Sequence, residues 1–286
     1  MDNELQTMEE QHVEVMQVNS AESLAALTRS EIDVQIATAK QYPRNLSQVL
    51  NNIETLATMD EETASSCFYM LRRQGKLIEG ASVRMAEIIA SSWGNIRVQS
   101  RIIGNDGKMM TAQGVCHDLE SNYAVSAEVK RRITDKYGRT FSDDMQVVTG
   151  NAACAIAMRN ALFRVIPMAL VKKVINKAKK VSLGEATSLE ETRMKMLDYF
   201  AKIGVDQQHL FDYLSVEKID EIDTDMCVEL RGLATAIKEG TTTIAETFFP
   251  KPAPATSKEE TDPQKDLFGN DGKEPEKEPK TKKGDK

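Results

Sequence analysis

The side chains of this sequence that could do chemistry are mostly cations, and they are concentrated in its middle. Residues 68–180 carry 19 Lys/Arg against 9 Asp/Glu, whereas residues 1–67 carry 3 against 12 and residues 181–248 carry 6 against 14. A strongly cationic segment inside a chain of net charge −7 speaks about partners: guanidinium and ammonium groups track phosphates and release the counterions condensed on them. Strand parity places Arg97 and Arg101 on one face of a first strand and Lys130 and Arg132 on one face of another, with Arg131 opposite. Lys136, Tyr137 and Arg139 continue the cluster into a loop, and Arg159 and Arg164 follow in a helix. Lys172 and Lys173 open a lysine run that reaches Lys180. These residues form the candidate nucleic-acid-binding set. Tyr137, within the basic loop, is the ring best placed to stack on a base, an interaction of about 1–3 kcal/mol. Phe68, Tyr69, Trp93 and Tyr123 are the other rings of the segment, with Trp93 expected in the core. Aromatic residues make up only 5% of the chain, so binding is expected through the phosphate backbone, with weak sequence preference.

One catalytic constellation competes with this reading. Glu128-Val129-Lys130 has the Glu-x-Lys spacing of many metal-dependent nucleases, and Asp118 precedes it on the neighbouring expected strand. Two carboxylates beside a lysine could hold Mg²⁺ and orient an attacking water. Mg²⁺ enters only on that alternative; otherwise no cofactor and no catalytic group is expected. The segment GNDGKMMT at 104–111 lacks the spacing of a phosphate-binding loop and reads as a hairpin tip. Cys67, Cys116, Cys154 and Cys227 lie far apart without a C-x-x-C pair, as do His12, His117 and His209, so buried reduced thiols are expected rather than a zinc site. Cys116 and His117, adjacent on a strand, point to opposite faces.

These side chains need a scaffold, and the punctuation of the sequence supplies one. Residues 1–28 are acidic and Gln-rich and are expected to be disordered. Ser30 is the expected cap of a helix ending at Pro43; a second helix spans about 46–59, and Asp60 caps a short third. CFYMLRRQGKLIEG at 67–80 reads as a hairpin, and Ser82 opens a helix that closes near Trp93-Gly94. Strand-like runs at 95–104, 108–118 and 122–133, separated by Asn105-Asp106-Gly107 and by Glu120-Ser121-Asn122, make an antiparallel meander. After an exposed loop at 134–145 comes a long helix so rich in small residues that something must pack closely on it. Pro167 interrupts it before a basic helix. The expected class is α+β: a meander and a hairpin covered by helices (29–180), then a small acidic all-α domain (181–248) and a disordered tail (249–286). No apolar run approaches the roughly 18 residues of a membrane span, and the start lacks the pattern of a secretory signal. A soluble protein of the cytoplasm is expected.

Across residues 68–180 the order of elements resembles phage recombination proteins of the single-strand annealing class, the RecT and Red beta group and their Sak-like relatives. The likeness is carried by CFYMLRRQGKLIEG, ASVRMAEIIASSWGN, the meander through VQSRIIGNDGKMMTAQGVCHDLE, and AACAIAMRNALFRVI before the lysine run. It also resembles a phage-borne family of uncharacterised proteins in which SVR-AEI-SSWGN and AACAIA-RNA recur. The resemblance implies binding of single-stranded DNA and ATP-independent annealing of complementary strands, on rings or filaments of subunits in a bacterial host's cytoplasm. It also implies a protein partner contacted through residues 181–286. A phage adaptor that touches DNA only incidentally is the remaining alternative.

Overall fold

The computed structural model describes residues 21–73, 75–135, 137–184 and 189–249. The expected disorder of residues 1–20 and of the tail from 250 lies outside the described residues. Helix α1 (Ala21–Gln41) begins well before Ser30, so residues 21–28 are helical and Ser30 is an internal position rather than a cap. Helices α2 (Leu46–Ala57) and α3 (Glu61–Ser66) follow, each opened by a side chain accepting a backbone N–H: Asn45 from Gln48 and Asp60 from Thr63. Strands β1 (Phe68–Arg73) and β2 (Lys76–Ala81) pair as an antiparallel hairpin. Ser82 then caps α4 (Val83–Trp93). Gly94 and Asn95, at φ 69° and 50°, reverse the chain into the meander.

That meander is β3 (Ile96–Asn105), β4 (Met109–Asp118) and β5 (Tyr123–Arg132), with β4 central and both pairings antiparallel. Helix α5 (Asp143–Val165) lies across one face of this sheet, and its first residue is six positions earlier than the small-residue run suggests. Capping explains the early start: Ser142 accepts the Met145 amide, and Asp143 and Asp144 complement the positive end of the helix. Even-numbered β4 residues from Met110 to Asp118 are buried beneath the helix, and odd-numbered ones face the other way. The small residues of α5 have the expected cause. Ala112 packs against Ala153 and Ala157, and Gly114 leaves no room for a side chain beneath the Ala157 carbonyl.

The remaining helices are α6 (Met168–Ser182), α7 (Leu189–Lys202), α8 (Gln207–Leu214), α9 (Thr224–Lys238) and α10 (Ile244–Phe248). Two apolar cores share the β1 strand. Phe68 and Met70 join Ile53, Met85, Trp93, Leu162 and Val171, whereas Tyr69 and Leu71 join Phe200, Leu210, Leu230 and Phe248 of the C-terminal helices. Because β1 is buried on both faces, the acidic helices pack directly onto the hairpin. Gly232 of α9 sets the approach, since a Cβ there would sit 2.7 Å from that of Met70. The architecture is α+β, as the sequence indicates. Among the described residues, no single helix is long and apolar enough to cross a membrane.

Gly114→Ala is expected to destabilise the fold by about 3 kcal/mol, because the new methyl would sit 2.1 Å from a helix carbonyl that cannot move alone. Gly104→Ala, where the nearest atom is 3.8 Å away, should leave the thermal midpoint almost unchanged. Circular dichroism melts of the two variants compare them directly.

Candidate nucleic-acid interface

Register decides which cations meet. Arg97, Gln99 and Arg101 of β3 pair with His117, Val115 and Gln113, and these with Ala124, Ser126 and Glu128 of β5. Thr111 pairs with Lys130, and Met109 with Arg132. Directly paired residues share a face, so Arg97, Arg101, Lys130 and Arg132 all project from the side of the sheet opposite α5. Glu128 is the single carboxylate among the strand residues of that side. Arg101 donates to Gln113 Oε1 at 3.1 and 3.3 Å, and Arg97 donates to Gln35 Oε1 of α1 at 3.2 Å. Neither is neutralised by an acid in these contacts. Along β4 the open face is Met109, Thr111, Gln113, Val115 and His117, a row without a fixed charge.

The loop after β5 extends the site. Asp135 accepts the backbone amides of Tyr137 and Arg139 at 2.8 and 2.9 Å, and Thr134 bridges to Thr140. Arg139 lies over the Tyr137 ring at 5.3 Å, both side chains being exposed. Thr140 donates to the Gly107 carbonyl and the Ile133 amide to that of Lys108. The loop is thereby tied to the β3–β4 tip, next to Arg132. Exposed Lys108 at that tip belongs with this group; the sequence marks its segment as a hairpin tip but does not show that the basic loop folds back beside it. Lys136 lies outside the described residues.

Other members of the candidate set are elsewhere. Arg131 projects toward the α5 side, near Gly240, where burial draws its pKa down against the opposing pull of Glu246. Arg159 is 4% exposed, stacked on Tyr69 at 5.1 Å and 3.6 Å from Glu239, and no phosphate can reach it. Arg164 donates to the Ser126 carbonyl at 3.1 Å, along the outer edge of β5. Lys172 and Lys173 are exposed on α6, which packs against α2, α3 and β1 rather than the meander. Lys177 and Lys179 form ion pairs with Glu54 and Glu79. The rings sort equally clearly: Phe68, Tyr69 and Trp93 are buried, while Tyr123 and Tyr137 are exposed.

The nuclease constellation does not assemble. Asp118 faces the helix side, where both its oxygens accept from Arg44 at 2.6 and 2.7 Å and Trp93 Nε1 approaches at 3.5 Å. Glu128 is on the opposite face and five residues along β5 from the partner of Asp118, about 17 Å away at strand rise. One Mg²⁺ cannot bridge them. Of the four thiols, Cys67, Cys116 and Cys227 are buried and Cys154 is half-buried, and all are free. Burial pushes Cys67 and Cys116 up to about 12, which keeps them protonated and unreactive.

No family model, curated protein or solved structure matches the chain, so the functional reading rests on these side chains.

The end of the sheet remote from the basic loop is fixed by a polar knot. Arg44 donates from its backbone N–H and Nε to Glu120 Oε1 at 2.7 and 2.9 Å, and Asn95 Nδ2 reaches the same oxygen at 2.6 Å. Burial alone would raise the Glu120 pKa, but the Asn95 and Arg44 hydrogen bonds outweigh it and the net shift is downward from 4.5. A carboxylate with a lowered folded pKa contributes stability that is complete above its unfolded pKa, and loses it as pH falls through the folded value. The thermal midpoint should therefore drop as pH falls below about 4.5, and Glu120→Gln should lower it at neutral pH and flatten that acid limb. Melts between neutral pH and acid, run on both proteins, test this.

Proposed function

We propose that the open face of the β3–β4–β5 sheet binds single-stranded DNA through its phosphates, and that the protein pairs complementary strands without ATP. The observation that carries this reading is the placement of Arg97 and Arg101 on one edge strand and Lys130 and Arg132 on the other, flanking a β4 row without fixed charge. Two cationic rails about 10 Å apart, twice the strand spacing, suit extended phosphate backbones. The row between them can accommodate bases without demanding a sequence. Tyr137 and Arg139 add a stacking ring and a further cation beyond Arg132. The resemblance of residues 68–180 to single-strand annealing proteins points the same way.

Annealing makes and breaks no covalent bond, so no catalytic group is required. Phosphate neutralisation lowers the repulsion between two strands, and a rigid sheet holds each extended with its bases accessible for pairing. Because phosphate contacts carry no sequence information, all sequences of equal length should bind alike.

Replacing Arg101, Lys130 and Arg132 together by Gln should weaken binding to every sequence equally. It should also reduce the slope of log affinity against log salt by about 2, at roughly 0.7 per lost phosphate contact. Lys172→Gln with Lys173→Gln, on α6, should leave the slope unchanged. Fluorescence anisotropy with labelled oligonucleotides at several salt concentrations reads both, and unequal losses across sequences would count against the reading.

Glu128→Gln removes the one carboxylate of the face and should tighten binding a few-fold, a repulsion of roughly 0.5–1 kcal/mol. In an annealing assay without ATP, with and without Mg²⁺, this variant should pair strands at least as fast as the parent and leave them intact. Mg²⁺-dependent strand cleavage by the parent that disappears in the Glu128 variant would replace annealing with nuclease chemistry.

A further inference from the structure

The two segments that flank the described chain differ in charge and in where they join it. Residues 1–20 carry the carboxylates Asp2, Glu4, Glu9, Glu10 and Glu14 and no Lys or Arg, whereas residues 250–286 carry 9 Asp/Glu against 9 Lys/Arg. Segments of one charge sign characteristically act as interaction segments. The acidic one runs directly into α1, and α1 already meets the open sheet face. Arg97 donates to Gln35 Oε1 at 3.2 Å, and Asn95 Nδ2 donates to the Tyr42 carbonyl at 2.8 Å.

Reach sets no obstacle. Helix α1 begins at Ala21, about 21 Å from Gln35 at helical rise, and the ten-residue strands of the face are about 33 Å long. Twenty extended residues span up to about 66 Å, enough to return along the helix and lie over the sheet. The cations waiting there lack acidic partners. Arg97 and Arg101 donate to glutamines, and among the described residues no ion pair engages Lys108, Lys130 or Arg132. Lys177 and Lys179 of α6, by contrast, already meet Glu54 and Glu79.

We infer that residues 1–14 are an internal competitor for the open sheet face: their carboxylates occupy the places over Arg97, Arg101, Lys130 and Arg132 that phosphates would take, and nucleic acid displaces them. This regulation rests on the reading of that face as a phosphate-binding surface. Carboxylates and phosphates use the same guanidinium and ammonium donors, so both cannot be held there at once. A short tether raises the local concentration of the segment to the millimolar range. A contact too weak to persist between separate molecules therefore fills the face when no polyanion is present. A nucleic-acid strand, with a charge on every phosphate and condensed counterions to release, outcompetes five carboxylates. The consequence is a threshold, in which short strands compete poorly and longer ones, engaging more of the cations, open the face.

Two experiments on the full chain test it. Zero-length carbodiimide coupling, without nucleic acid, should join carboxylates of residues 2–14 to Lys108 and Lys130, and seldom to Lys172 and Lys173 of α6. Mixing isotope-labelled with unlabelled protein should show that these links form within single chains. The second experiment is fluorescence anisotropy with a labelled oligonucleotide at low salt. Asp2→Asn combined with Glu4→Gln, Glu9→Gln, Glu10→Gln and Glu14→Gln should bind about fivefold tighter than the parent. The gap should shrink as salt screens the internal contact. A variant with the same change of net charge in the other flank, Asp271→Asn with Glu274→Gln, Glu276→Gln, Glu278→Gln and Asp285→Asn, should bind like the parent. Links spread equally over α6, links mainly between copies, three proteins of equal affinity, or equal gains in both variants would each overturn the inference. The expected links, with no oligonucleotide binding by any of the three, would instead remove the DNA reading and leave the contact standing.

Discussion

The open sheet depends on the Arg44 guanidinium held between Asp118 and Glu120. Ions removed from water cost several kcal/mol each, and such a group persists only where its hydrogen-bonding capacity is filled. Here it is filled from three directions. Arg44 contributes from the α1–α2 connection, Asn95 and Trp93 from the α4–β3 reversal, and Asp118 and Glu120 from the β4–β5 turn. Asp118 also accepts the amides of Glu120 and Ser121, closing the turn on itself. The knot fixes one end of the meander to the helical body, and α5 clamps one face. The other face and the far tip are left exposed, and most of the free cations of the meander lie there.

The charge segregation of the sequence has two causes that composition cannot separate. Part of it is internal pairing: Arg72 forks onto Glu229, Arg159 faces Glu239, and Lys177 and Lys179 meet Glu54 and Glu79. Glu54 comes from the acidic N-terminal region and Glu229 and Glu239 from the acidic C-terminal one, so three carboxylates of the flanking regions hold the pieces together across the basic segment. Arg72 and Arg159, stacked on Tyr213 and Tyr69, sit where the C-terminal helices dock on the hairpin. What remains after this pairing is a smaller cationic set than the net charge suggests, and its largest coherent group is the four residues of the open sheet face.

Period 2 made the strands legible and period 3.6 did not do the same for the helices. Parity alone separates Arg132 and Lys130 from Arg131, and it puts Arg97 with Arg101, because a strand has only two faces. It could not place the β3 and β5 cations on the same side, which needs the register, nor show that Asp118 and Glu128 lie on opposite sides. Arg159 is covered although its pattern does not announce it, because small and large apolar residues recur around most of α5. Such a helix gives no contrast between a buried and a wet face, and whether an arginine within it is covered depends on Glu239, far away in sequence. Ser30 failed as a cap for a local reason: α1 shows little apolar stripe and packs lightly, so nothing in its pattern marks where it begins. Lys172 and Lys173 are exposed, but the bend at Pro167 turns their helix away from the open sheet face and packs it against α2, α3 and β1.

The geometry also bears on why a platform for extended strands would be built from a sheet with only one face covered. A helix on the second face would bury Gln113, Thr111 and His117 and would have to neutralise four cations at a desolvation cost that the paired arginines elsewhere meet only with dedicated carboxylates. Leaving the face in water avoids that cost. It also keeps the guanidinium and ammonium groups hydrated and mobile, as phosphate exchange in the proposed annealing would require. The same economy explains Glu128. On the proposed reading, an isolated carboxylate between Ser126 and Lys130 would weaken the grip of the β5 rail without breaking its continuity, which would suit a surface that has to release a paired duplex.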